Sequence, residues 1–82
     1  MNELVQFVRN RNGQPKGVLV ARQNGIGWSA VSPRDTFDKE LALRIARGRI
    51  EAGRVSAERP SHVEAMIHKF HDRAVRYFRK EY

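Results

Sequence analysis

The spacing of hydrophobic positions divides the chain into a strand-like first third and a helical remainder. From Leu4 to Val31, short runs of apolar and β-branched residues predict three strands at about residues 4–9, 17–22 and 26–31. Asn12-Gly13 and Asn24-Gly25 mark the turns between them. The second pair is typical of a two-residue type I′ hairpin, which needs positive φ at both central residues. The sequence therefore begins with a predicted antiparallel β-meander.

The hairpin predicts which residues share a face of the sheet. A turn at Asn24-Gly25 places Ala21 opposite Trp28, and side chains alternate between faces along a strand. One face then carries Leu19, Ala21, Ile26, Trp28 and Ala30, and we expect the helices to pack on it. The other carries Val18, Val20, Arg22 and Val31, joined by Phe7 and Arg9 if the first strand pairs in a suitable register. We expect this second face to be a mixed apolar and arginine surface.

Helical periodicity predicts two helices, over about residues 33–52 and 62–80. The first is predicted to start at Ser32-Pro33, with Asp35 or Thr36 as alternative caps, and to end at Gly53. Its apolar positions are Phe37, Leu41, Ile45, Gly48 and Ala52, and those of the second helix are Val63, Met66, Ile67, Phe70, Ala74, Tyr77 and Phe78. The prediction is a single α+β domain over residues 1–82, a three-stranded antiparallel meander followed by two helices, in the order βββαα.

Composition restricts the class of protein. Sixteen Lys and Arg against nine Asp and Glu give a formal net charge of +7, a field that attracts polyanions. Arginine outnumbers lysine, and its guanidinium matches phosphate oxygens in a bidentate way. Cysteine is absent, which excludes disulfides and thiolate zinc sites. The absence of cysteine also favours a cytoplasmic location. No apolar run approaches the roughly 18 residues of a membrane span, so we expect no membrane partner.

One set of cations is aligned on the second predicted helix. Lys69, Arg73, Arg76 and Lys80 step by four, three and four residues, and Tyr77 lies beside them. A phosphate backbone could follow this basic stripe with an aromatic ring nearby. Arg44, Arg47, Arg49 and Arg54, on or just after the first helix, would extend it. The alternative is a merely solvated flank, with Glu40–Arg44, Arg47–Glu51 and Asp72–Arg76 forming pairs along each helix.

Other chemistry is weakly indicated. His68, His71 and Asp72 share a helical region, but two histidines supply at most two good metal ligands there, so no metal site is predicted. No nucleophile elbow, phosphate loop or dinucleotide fingerprint occurs, which predicts neither an enzyme nor a bound cofactor. Trp28 is interpreted as a core anchor, because a stacking role would require an open sheet face.

Several short motifs carry a resemblance. They are Gly27-Trp28-Ser29, then Pro33-x-Asp35-x-Phe37-Asp38-Lys39, Ile45-Ala46-x-Gly48-Arg49 and Arg73-Ala74-x-x-Tyr77-Phe78. From about Gly17 onward the chain resembles small uncharacterised proteins of bacteriophages and prophages. The resemblance implies a viral origin and a host-cell cytoplasmic location, without an activity. In topology alone, three antiparallel strands and a helix also look like the plant ethylene-response and integrase arm-binding DNA domains.

Two functions from different classes follow from these observations. The leading hypothesis is a non-enzymatic module that binds nucleic acid, DNA rather than RNA, through Lys69, Arg73, Arg76, Lys80, Arg44, Arg47 and Tyr77. The rival is a protein-interaction factor that docks on an acidic host protein or forms a homodimer. The second apolar sheet face, with Val18, Val20 and Val31, motivates the rival, because such a face needs a partner or the other helix to cover it.

Overall fold

The computed structural model describes residues 2–31, 35–53 and 61–81, without the side chain of His62. It contains β1 (Leu4–Arg9), β2 (Pro15–Arg22), β3 (Gly25–Ala30), α1 (Lys39–Ala52) and α2 (Ser61–Phe78). The strands form one antiparallel sheet in the order β1-β2-β3. The predicted α+β class and the βββαα order are confirmed, and the strands begin within two residues of their predicted positions.

The predicted hairpin register is wrong by two residues. Arg22 pairs with Gly25 and Leu19 pairs with Trp28, so Gln23 and Asn24 form the connection in place of Asn24 and Gly25. Among the described residues, Arg79 is the one non-glycine residue with positive φ, so Gln23 and Asn24 do not form a type I′ turn. Because side chains alternate with a period of two, a two-residue shift keeps every residue on its predicted face.

The two helices cover opposite faces of the sheet, which corrects the expectation that both pack on the tryptophan face. Leu19, Ala21 and Trp28 are buried against α2. Val18 and Val20 point the other way and are buried against α1, with Phe7 packed beside them. The second apolar face is therefore covered within the chain, and the surface that motivated a partner protein is closed.

The first helix begins six residues later than predicted. Asp38 adopts an extended conformation and caps α1, since its carboxylate accepts a hydrogen bond from the Leu41 N–H at 3.1 Å. Residues 35–38 are not helical, so Asp35 and Thr36 are not caps, and Ser32, Pro33 and Arg34 lie outside the described residues. In this segment the Phe37 ring meets the Phe7 ring edge to face at 6.1 Å between centroids. We attribute the later start to this packing, which holds Phe37 against β1.

The buried face of α1 also differs from the predicted one. Ala42, Ala46 and Ile50 face the sheet, whereas Leu41 and Ile45 are 47% and 40% exposed. The reason is a close approach at Gly27, where a Cβ atom would lie 2.0 Å from the Ala46 carbonyl oxygen. Small residues on both surfaces let the backbones meet, and the larger side chains are displaced to the flank.

A buried polar contact fixes α1 over β3. The Ser29 hydroxyl donates a hydrogen bond to the Ala42 carbonyl at 2.9 Å, and Ser29 is 3% exposed. A helix carbonyl that accepts a second hydrogen bond at a buried position is fully satisfied there. The helix ends as predicted at Gly53, whose φ of 67° permits a left-handed cap that donates to the last turn.

Candidate nucleic-acid interface

The second helix presents one apolar and one polar side. Val63, Phe70, Ala74 and Phe78 are buried on the sheet, as the 3.6-residue period predicts. The helix ends at Phe78, where Arg79 has a φ of 55° and the Lys80 N–H donates to the Val75 carbonyl at 3.2 Å. This 6→1 hydrogen bond is the C-terminal arrangement that follows a left-handed residue. Lys80, predicted as the last helical residue, therefore lies in the cap.

The first three cations of the predicted basic stripe are open to solvent. Lys69, Arg73 and Arg76 are all exposed. Within the described part of the chain, Lys69 and Arg76 take part in no ion pair, and the predicted Asp72–Arg76 pair does not form. Asp72 instead lies 3.9 Å from the His71 ring. Lys69 and Arg76 thus have no carboxylate within contact distance among the described residues.

Neutral groups on the sheet accept hydrogen bonds from two cations of the stripe, Arg73 and Lys80. The Arg73 guanidinium donates to the Gln6 side-chain oxygen on β1. The Lys80 ammonium donates to the Gln23 backbone carbonyl at the β2–β3 connection. An amide acceptor orients Arg73 without neutralising it, so the guanidinium keeps its full charge and its remaining donors for an anion.

Tyr77 is the aromatic residue that accompanies the stripe. Its side chain is 54% exposed, and its ring packs edge to face on Phe78 at 4.9 Å between centroids. The phenol ring is thereby held at the surface one residue from Arg76. Trp28, in contrast, is 7% exposed inside the core, and the Arg49 guanidinium covers its ring at 4.1 Å. The sheet face is closed to base stacking, and the core interpretation of Trp28 is confirmed.

The cations of α1 are placed differently. Arg44 is exposed, but α1 and α2 lie on opposite faces of the sheet, so Arg44 does not extend the surface formed by α2. Arg47 is bound to Glu3, with contacts of 2.7 and 3.0 Å. Neither of the predicted pairs along α1, Glu40–Arg44 and Arg47–Glu51, is formed among the described residues. Arg54 lies outside those residues.

Glu3 is the acid that gathers the cations on the α1 side. It accepts hydrogen bonds from Arg47 and from Arg22 Nε at 2.8 Å, and its side chain is 15% exposed. The hydrogen bond from Arg47 contributes most, and against an opposing effect of burial the two arginines lower the pKa of Glu3 from 4.5 to about 2. The same contact with Glu3 raises the pKa of Arg47. Arg47 is thus engaged in holding the N-terminal segment to α1.

Sequence reasoning missed both the Glu3 cluster and the Arg49–Trp28 contact. Glu3 and Arg47 are 44 positions apart, and Arg49 and Trp28 are 21 apart. Rules for helical pairs consider separations of three or four residues, so they point Arg47 towards Glu51. In the structure Glu51 lies near Asn24 at 3.3 Å and near Arg22 at 3.9 Å. Glu3 directly precedes β1. Only the pairing of β1 with β2, in which Leu4 lies opposite Ala21, could have indicated that Glu3 lies close to Arg22.

The described residues form neither a metal site nor a membrane-spanning helix. Across residues 2–31, 35–53 and 61–81, no three histidine or acidic side chains are grouped in a way that could hold a metal ion. His68 lies 3.8 Å from Glu64, one turn away on the same helix. None of the described helices is long and apolar enough to cross a membrane. No family model, no curated protein and no solved structure matches the chain.

Proposed function

We propose that this chain is a non-enzymatic module that binds DNA through the phosphate backbone, using Lys69, Arg73 and Arg76 of α2 with Tyr77 beside them. One observation carries the proposal: these exposed cations have no carboxylate partner among the described residues, whereas Arg22 and Arg47 on the other face are bound to Glu3. A cation that is not paired within the protein can exchange its counterion for a phosphate at little cost.

The dimensions of the stripe suit one nucleic-acid strand. A helix rises about 1.5 Å per residue, so Lys69 and Arg76 are separated by about 10 Å along the axis. One strand of B-DNA carries a phosphate about every 3.4 Å of its axis, which amounts to about three phosphates over that length. Three cations therefore correspond to three phosphates, and the exposed ring of Tyr77 is available to stack on an unpaired base. Such contacts position the protein without reading the base sequence.

The test is the salt dependence of binding to a labelled duplex and to a single strand, followed by fluorescence anisotropy. Three phosphate contacts predict a slope of log affinity against log salt of about −2.7 on the duplex. Arg76→Ala should reduce the magnitude of that slope by about 0.9. Arg44→Ala is the matched control, because it removes another exposed helical arginine, on the opposite side of the sheet, and should change the slope little.

Two results would overturn the proposal. One is an absence of binding to either form of DNA at a salt concentration of about 50 mM, where phosphate contacts are strong. The other is an equal effect of Arg76→Ala and Arg44→Ala, which would mean that net charge rather than the α2 stripe attracts the nucleic acid. Circular dichroism of both variants verifies that the fold is retained.

A further inference from the structure

A second group of exposed cations lies where β1 ends. From residue 4 to residue 34 the sequence contains five Lys and Arg residues and no Asp or Glu. We call three cations around this end the β1 patch: Arg9, the last residue of β1, Arg11 in the turn that follows, and Lys39, the first residue of α1. All three are exposed, and none takes part in an ion pair among the described residues. Their charges are therefore available to an anion, as those of Lys69 and Arg76 are.

The turn after β1 holds Arg9 in place. The Asn10 side-chain oxygen accepts hydrogen bonds from the N–H groups of Asn12 at 2.9 Å and Gln14 at 3.0 Å. The Arg9 guanidinium donates to the Gly13 carbonyl at 2.8 Å. A turn fixed by such contacts presents Arg9 in one orientation, and a carbonyl acceptor leaves the guanidinium its full charge and its other donors for a phosphate.

Lys39 reaches β1 from α1. Its ammonium lies 5.6 Å from the centroid of the Phe7 ring, and the attraction between a cation and an aromatic face directs the side chain towards the strand. Neither neighbouring acid is paired with it among the described residues, since Asp38 caps α1 and Glu40 forms no ion pair there. Arg9 follows Phe7 by two positions on β1, so its side chain projects to the same face of the sheet. Lys39 and Arg9 therefore form one row.

The β1 patch and the α2 stripe lie on opposite faces of the same edge strand. β1 is at the edge of the sheet and pairs with β2 alone. Gln6, which accepts the hydrogen bond of Arg73, lies on the α2 face, and the adjacent Phe7, next to Lys39, lies on the α1 face. Side-chain contacts between packed layers lie about 5 Å from a sheet, so the two rows of cations are about 10 Å apart. The strand between them, Leu4–Arg9, contains no acid.

We infer that the β1 patch binds the second strand of a DNA duplex whose first strand lies along the α2 stripe. The inference rests on the proposed function and assigns its substrate as duplex rather than single-stranded DNA. The phosphates of a duplex form two rows, one on each side of a groove, and the major groove is about 12 Å wide. Two rows of cations about 10 Å apart match that arrangement, whereas a single strand offers its phosphates to one row only. A single strand would contact the α2 stripe and Tyr77 alone.

The test compares the salt dependence of binding to a duplex and to one of its strands, followed by fluorescence anisotropy of the full chain. Six phosphate contacts predict a slope of log affinity against log salt of about −5.4 on the duplex, and three contacts predict about −2.1 on the single strand. Lys39→Gln and Arg11→Gln should each reduce the magnitude of the duplex slope by about 0.9 and leave the single-strand slope unchanged. Arg44→Gln is the matched control, because it removes another exposed cation of α1 that belongs to neither row, and it should change neither slope.

The outcomes separate this inference from the proposed function. A duplex slope of about −2.7 that Lys39→Gln and Arg11→Gln leave unchanged overturns the second row of contacts, while the role of the α2 stripe stands. Equal reductions of the duplex and single-strand slopes overturn the assignment to a duplex, because both rows would then lie on one strand. An absence of binding to either form of DNA overturns the proposed function, and the inference with it. Arg11→Gln alters an exposed turn residue, so it decides the question even if Lys39→Gln perturbs the start of α1, and circular dichroism verifies the fold of each variant.

Discussion

The two sides of the sheet hold their helices by different means. On the α2 side, the large rings of Phe70, Phe78 and Trp28 fill the space between helix and sheet. On the α1 side, Ala42 and Ala46 lie directly on the strands, and Gly27 allows the backbones to meet. Packing through large rings buries the apolar side of α2 and leaves a polar surface exposed to solvent. Packing through alanine and glycine brings α1 close to the sheet but leaves its larger side chains, Leu41 and Ile45, exposed to solvent.

The electrostatics of the two sides differ in the same sense. On the α1 side a carboxylate binds two arginines, since Glu3 accepts hydrogen bonds from both Arg22 and Arg47. The α2 side orients Arg73 with a neutral amide. Equal numbers of cations therefore do not mean equal attraction for a polyanion. Within the described residues, the three exposed cations of the α2 stripe therefore differ from Arg22 and Arg47 in being unpaired with a carboxylate.

The largest expected effect comes from removing the ring at the centre of the α2 side. Phe70 is fully buried, and Phe70→Ala should lower the free energy of unfolding by about 3–5 kcal/mol, through lost transfer free energy and a cavity. Urea unfolding monitored by circular dichroism measures the change. Phe70→Leu should cost only about 1 kcal/mol and remains measurable if the alanine variant does not fold. A loss below 1 kcal/mol for Phe70→Ala would mean that rings do not hold α2.

The next effect tests the close approach on the α1 side. Gly27→Ala should destabilise the protein by about 1–3 kcal/mol, because the added methyl group overlaps the Ala46 carbonyl and must push α1 away from the sheet. Gly48→Ala is the matched control at a helical position with open space around it. It should stabilise the dilute protein by about 0.5–1 kcal/mol, since alanine favours a helix more than glycine does. If both variants changed the free energy of unfolding by the same amount and in the same direction, α1 would not be packed closely on the sheet at Gly27.

The smallest effect is the pH dependence of the Glu3 cluster. The pKa of Glu3 is about 2 in the folded chain against an ordinary value of 4.5, so its contribution to stability is complete above about pH 4.5. It is lost as the pH falls from there towards 2. After allowance for solvent screening we expect a contribution on the order of 1–2 kcal/mol. Thermal unfolding of the unaltered chain and of Glu3→Gln, measured from pH 7 to 2, should give curves that approach each other towards the acid end. Curves that stay parallel would assign no stabilising role to the carboxylate.

Local patterns predicted the elements well and their contacts poorly. β1 and α2 form almost where the apolar spacing places them, because a period of two or of 3.6 residues is a property of a short segment. The start of α1 was missed because Asp38 competes with Ser32 as a cap, and contact of Phe37 with Phe7 decides between them. The face of α1 was missed because the packing of Ala46 on Gly27 involves residues 19 positions apart.

The candidate site was predicted to a similar extent. The alignment of Lys69, Arg73 and Arg76 follows from helical geometry alone, and all three are exposed. Whether each cation is already paired could not be read from neighbours three or four residues away. Arg47 turned to Glu3 instead of Glu51, and Arg76 did not pair with Asp72. Surface pairs along a helix contribute only a few tenths of a kcal/mol, so a better-placed distant acid prevails over them.

By itself the sequence determined the β-meander, the amphipathic second helix, the division of β2 and β3 residues between two faces, and a basic stripe at helical spacing. Each of these depends on the repeat of the backbone, which needs no knowledge of distant residues. Only the tertiary structure decided that the helices lie on opposite faces, that Glu3 binds Arg22 and Arg47, and that Leu41 and Ile45 remain exposed. These outcomes depend on which surfaces fit closely, and the close approach of Gly27 to Ala46 exists only when the chain has folded.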